Sequence, residues 1–171
     1  MRMRGVAART IGSQRGGSVA SGPRGRNKRS DGRRGSVRIY LAGPMRGYPE
    51  FNRPAFTEGA ALLRSAGHEV FSPAEYDQFN GFDWTGHDGD LSAAERDGFS
   101  LREALGADLA WICAHAEAMV VLPGWQASKG ATAEAATALA LNAPVWELAC
   151  FLLHGTDAPA ITSAAPREGT A

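Results

Sequence analysis

From residue 37 onward the chain alternates short apolar runs with longer stretches in which apolar side chains recur every three or four positions. VRIYLAG at 37–43, HEVFSP at 68–73, AMVVLPG at 118–124 and APVWEL at 143–148 are each of strand length and end in Gly, Pro or a polar residue. Between them PAFTEGAALLRSAG at 54–67 opens on a proline suited to a first helical turn, sets Phe56, Ala60 and Leu63 at helical spacing and stops at Gly67. FSLREALGADLAWICAH at 99–115 aligns Leu101, Leu105, Asp108 and Ile112 on one face, and ATAEAATALALN at 131–142 predicts a further helix ending near Pro144. Strand alternating with helix implies parallel strands joined by right-handed crossovers. The expected fold is α/β: a single domain over 36–154 built on a Rossmann-like, doubly wound parallel sheet of four to five strands.

Residues 74–97 break this rhythm. AEYDQFNGFDWTGHDGDLSAAERD is too long and too polar for a simple connection, and long ordered loops often act as lids. Its acids invite a calcium reading, but setting Gly89 on the loop glycine of that pattern puts Trp84 where the first Asp belongs, so no metal is expected. GTDAPAITSAAPREGTA, from 155 onward, reads as a loose C-terminal tail.

In an open parallel sheet, ligands bind beyond the carboxyl ends of the strands, where successive crossovers leave to opposite faces. A strand order of 2-1-3-4 makes GPMRGY at 43–48 and LPGWQASKG at 122–130 face each other, both rich in residues that permit close backbone approach. Ser128, Lys129 and Gly130 directly precede the predicted helix, whose free N–H groups suit a phosphate. Arg46 adds either a fixed charge for that anion or a plain surface arginine. Glu134 falls in the first turn predicted, where the helix dipole favours its ionised form. It is either a solvated glutamate offsetting that dipole or a carboxylate aimed into the crevice, able to attack an electrophilic carbon. Asp108 interrupts an apolar face and needs a partner if buried. Trp84 and Trp125 are candidates for the wall of a base pocket or for core packing.

Composition and charge narrow the setting. With 171 residues and 44% hydrophobic side chains the chain suffices for one core. Its zero net charge conceals ten Lys or Arg and one acid in residues 1–35 against eight basic and seventeen acidic side chains in 36–171. The basic segment has eight glycines and no sustained apolar periodicity, the composition of a disordered tail. It reads as a nucleic-acid-binding arm, a transit peptide, a solvated leader or residues added by an upstream start; no aromatic side chain interleaves the arginines to stack a base. No run approaches membrane-spanning length. Cys113 and Cys150, lacking ligand spacing or companion histidines, predict reduced core thiols and a cytoplasmic setting.

YLAGPMRG, DLAW at 108–111 and SKGATAE at 128–134 together resemble the nucleoside 2-deoxyribosyltransferase-like superfamily. The resemblance is nearest to its branch of 2'-deoxynucleoside 5'-monophosphate N-hydrolases and to related phage proteins, and it spans roughly 37–148. It implies a nucleotide N-glycosidase, with Glu134 as nucleophile on the anomeric carbon and Asp108 positioning the sugar and assisting departure of the base. Tyr40 joins them as a catalytic position. Gly43, Met45, Arg46 and Gly47 are implied to hold substrate after the first strand, Ser128 and Gly130 to cradle a 5'-phosphate, and Glu117 to bind substrate where the pattern usually has Asp. Pro44 departs from the pattern by replacing a small hydroxyl residue, and Glu117 by one added methylene. The resemblance also implies a homodimer and needs no cofactor. Two other functions stay open: a deoxyribosyltransferase, and a nucleotide-binding module without catalysis.

Overall fold

A computed structural model describes residues 35–164; the basic segment assigned above and the last residues of the C-terminal stretch lie outside this range. Four strands, β1 (Arg38–Ala42), β2 (Glu69–Phe71), β3 (Ala118–Val121) and β4 (Val145–Glu147), form one sheet in the order β2-β1-β3-β4. Every neighbouring pair is parallel, with Ile39 opposite Val70 and Ala118, and Val120 opposite Trp146. The fold is therefore the Rossmann-like α/β domain expected, with four strands.

The helices are α1 (Arg53–Ser65), α2 (Pro73–Phe79), α3 (Leu91–Arg96), α4 (Leu101–His115), α5 (Lys129–Ala140) and α6 (Leu148–His154). Strand period sorts the core into two layers. Ile39 and Leu41 of β1 pack with Phe56, Leu63 and Phe151 from α1 and α6. Tyr40 and Ala42 point the other way, toward Ile112 of α4 and Ala131, Ala135 and Ala138 of α5. Because the chain steps from β1 to β2 and then back past β1 to β3, α1 and α4 leave to opposite faces. A crevice opens between the ends of β1 and β3. Among the described residues, no helix is long and apolar enough to cross a membrane.

Two expectations need correction. Residues 155–161 are not loose: the Trp146 indole donates to the Ala158 carbonyl at 2.9 Å, the Ile161 amide donates to the Val145 carbonyl at 2.7 Å, and Ala158 is buried in the core. An aromatic ring on β4 and that strand's unpaired backbone groups supply partners that the sequence of the segment does not reveal. Residues 74–97 also acquire structure of their own, as α2, α3 and the turns between them. Asp83, Asp88 and Asp90, the acids behind the calcium reading, each accept a backbone N–H two residues ahead.

Candidate active site

The crevice becomes a cavity of about 320 Å³ bounded by the loops after β1 and β3, by α4 and α5, and by the α2–α3 segment. Small residues bring these pieces together. A Cβ on Gly43 would lie 2.8 Å from Leu122 Cδ1, so only glycine lets the two strand ends approach this closely. Gly89, at φ +91, is packed so tightly that a Cβ there would lie 2.5 Å from the Tyr48 carbonyl oxygen. That contact clips the loop after β1 to the α2–α3 segment, helped by the Gly47 amide donating to Gly89 at 3.0 Å and the Glu50 amide to His87 at 2.7 Å.

Between these clips Glu50, Phe51 and Asn52 all adopt left-handed backbone, with φ of 49, 50 and 62. Such conformations cost non-glycine residues about 1–3 kcal/mol each and survive only where surrounding contacts over-determine them. Here Asn52 Nδ2 donates to the Pro44 carbonyl at 2.8 Å, and the turn carries the buried Phe51 ring into the cavity wall. Phe51 stands 4.6 Å from Trp84 between ring centroids, and Trp84 stands 5.1 Å from Phe99.

In the same cavity lining, α5 begins earlier than its composition suggests. The Ser128 hydroxyl accepts the Ala131 N–H at 3.3 Å and caps the helix, so Lys129 and Gly130 lie inside its first turn instead of in the preceding loop. Glu134 consequently falls in the second turn, not the first, and no first-turn dipole pairing accounts for it. It is also not solvated. Glu134 is only 7% exposed and Asp108 only 8%, and both line the cavity.

The wholly buried Tyr40 hydroxyl faces both carboxyls without closing a hydrogen bond of good distance and angle to either. Burial and then the charges of Glu134 and Asp108 push the phenol well above its ordinary value, so it stays protonated and remains a donor. Burial, reinforced by Asp108, raises the Glu134 carboxyl to about 8, against the opposing pull of Tyr40. Asp108 is raised to about 7 by burial and then by Asp77. Burial thus resists ionisation of both acids, and the charge of Asp108 adds to that resistance at Glu134.

Of the residues expected to act, Gly43, Met45, Arg46, Asp108, Ser128, Gly130 and Glu134 line the cavity, with Tyr40 beneath the acids. Arg46 and Lys129 are exposed at its mouth. Gly47 does not line it and serves instead as a turn residue at φ +79. Glu117 is misplaced: it precedes β3, which puts it at the amino end of the sheet, where its carboxylate takes the Arg38 guanidinium and amide at 3.0 Å each. Trp84 walls the cavity, whereas Trp125 is buried in the core beneath α5. Sequence reasoning missed Asp77 on α2, which lines the cavity and is raised to about 6 by burial. Its signal was helical spacing from the buried Pro73 and Ala74, the pattern that picked out Asp108.

Residues 37–147 match a family model described as Domain of unknown function (DUF4406). No curated protein and no solved structure gives a significant match.

Proposed function

The chain belongs to the DUF4406 family, whose description carries no activity, and from its site we propose an N-glycosidase that hydrolyses the base–sugar bond of a (deoxy)nucleoside 5'-monophosphate. One observation carries the reading: two buried carboxyls backed by a buried phenol line a cavity whose wall also holds Phe51, Trp84 and Phe99, a capped helix N-terminus, and Arg46 and Lys129. The resemblance of YLAGPMRG, DLAW and SKGATAE to the nucleotide N-hydrolases points the same way.

The reactive form is the singly protonated one in which Asp108 keeps the proton and Glu134 is ionised, the less populated of the two arrangements because Glu134 is raised further than Asp108. Glu134 attacks the anomeric carbon while the bond to the base nitrogen breaks, and Asp108 gives its proton to the departing base. The oxocarbenium-like charge is stabilised by the carboxylate, as in retaining glycosidases. Water then attacks the same carbon and releases Glu134, returning a proton to Asp108. The net change is nucleotide plus water to free base plus sugar phosphate. Tyr40, donating toward Glu134, orients the nucleophile. Phosphate at Ser128, the Gly130 amide and Arg46 anchors the sugar over it. We place the working form as a homodimer, on the resemblance.

Incubating the protein with nucleosides and their 5'-monophosphates and measuring released base tests the proposal. Base released from monophosphates supports it. Base exchange with an added free base makes it a deoxyribosyltransferase, and nucleotide binding without release makes it a binding module.

A further inference from the structure

Three acids line the cavity, and the cleavage above uses only Glu134 and Asp108. Asp77 remains. It is half-buried in the cavity lining, and none of the described residues donates a hydrogen bond or forms a salt bridge to its carboxylate. An unpaired acceptor facing a cavity is a costly arrangement unless a ligand supplies the donors.

The position of Asp77 says which part of the ligand that is. The cavity adjoins a smaller one of about 280 Å³ through Asp77, Phe99 and Ala104, and another of about 320 Å³ through Arg46, Ser128 and Lys129. Its two ends are therefore a basic one at the start of α5 and an aromatic one at Asp77. A nucleotide with its phosphate at α5 and its anomeric carbon at Glu134 directs its base along Phe51, Trp84 and Phe99 toward Asp77.

We infer that Asp77 selects the base, accepting two adjacent N–H groups from the edge remote from the sugar, and so favours a guanine-type edge over an adenine-type edge. This inference rests on the nucleotide reading above. A carboxylate offers acceptors only. Guanine presents its ring N–H beside its 2-amino group, hypoxanthine keeps the ring N–H alone, and adenine turns a ring nitrogen acceptor toward the carboxylate.

Binding of the three 2'-deoxynucleoside 5'-monophosphates to Glu134→Gln, which cannot form the ester, separates recognition from chemistry. Calorimetry is expected to rank guanine over hypoxanthine over adenine, with about 10- to 100-fold between the first and last, the scale of a charge-assisted hydrogen bond. In otherwise unmodified protein, Asp77→Asn is expected to shift the guanine-to-adenine ratio of kcat/KM toward adenine by a similar factor. The amide can donate to the adenine ring nitrogen and accept from its amino group. Equal affinity for the three nucleotides, or a ratio unmoved by Asp77→Asn, overturns the inference even when base is released. Guanine preference in binding with no base released by the unmodified protein upholds the role of Asp77 and removes the cleavage reading alone. The binding series needs no Asp77 variant and decides the matter if Asp77→Asn fails to fold.

Discussion

Tyr40 on β1 and Glu134 on α5 face each other in the interior, phenol against carboxyl, the phenol wholly buried and the carboxyl reached only through the cavity it lines. Strand alternation fixes this meeting. Ile39 and Leu41 turn to the α1 side, so Tyr40 must turn to the side where α4 and α5 pack. Because the phenol stays protonated, it offers the Glu134 carboxyl a donor from the side of the sheet.

Replacing Glu134 by Gln is expected to leave the fold intact and lower base release by at least ~10³, since an amide is a poor nucleophile and stabilises no cation. Rapid-quench turnover is the measurement, and near-normal rates rule out the covalent route.

The two raised carboxyls predict a narrow bell in kcat/KM. Activity rises as the pair loses its first proton and falls as it loses its second, with limbs near the raised values of about 7 and about 8. Below the bell there is no nucleophile, and above it no proton for the base. Asp108→Asn removes the proton donor whose ionisation closes the bell, so the rate drops and the alkaline limb is lost. An alkaline limb that persists removes Asp108 from the pair.

Stability should follow the same acids in the opposite sense from an ordinary salt-bridged carboxylate. Folding raises Asp77, Asp108 and Glu134 from 3.8, 3.8 and 4.5 to about 6, 7 and 8, so the folded chain binds more protons than the unfolded one. The stability these groups contribute is full below their unfolded values and is lost as pH rises through 6 to 8. Thermal melts between pH 5 and pH 9 should show Tm falling by roughly 5 °C or more, and Glu134→Gln should flatten the fall. A Tm that climbs with pH over that window contradicts the burial of uncompensated acids.

Ser128 has two tasks, and its variant should show both. Ser128→Ala removes the cap on α5, at about 1 kcal/mol, and one donor for a 5'-phosphate. The ratio of kcat/KM for a monophosphate over its nucleoside should shrink by about 10-fold or more, the scale of a hydrogen bond to a charged group. An unchanged ratio with lowered Tm leaves only the cap.

Gly89→Ala should open the loop clip. The new methyl group meets Tyr48 and Gly47 backbone, and φ +91 is itself strained for alanine. A stability loss of about 1–3 kcal/mol in urea, with KM raised more than kcat is lowered, is expected.

The four strands and helices α1, α4 and α5 were legible because each apolar run is bounded by turn residues and these helices carry apolar stripes, whereas the order 2-1-3-4, and with it the crevice, entered as a condition that the sheet meets. Asp108 was legible for the same reason: it interrupts such a stripe. The start of α5 was harder, since Ala, Thr and Gly give no boundary and only the Ser128 hydroxyl decides it. Glu117 misled because the resemblance assigned it to the substrate, although a residue directly before a parallel strand sits at the amino end of the sheet, away from the crevice. Asp77 hid in a polar stretch whose helix is two turns long. The left-handed turn at 50–52 has no sequence signature at all, because none of its residues is glycine; only the Asn52 side chain and the contacts of Glu50 and Phe51 hold it.

The antiparallel pairing of Ile161 with Val145 has a colloidal consequence. An open margin of a parallel sheet is a template for other chains, and β4 would present Val145 and Trp146 there. With the chain folded back over it, that template is capped from within. A protein ending at His154 would keep every residue of the cavity yet bare the margin, so its failure would be self-association and precipitation rather than lost chemistry.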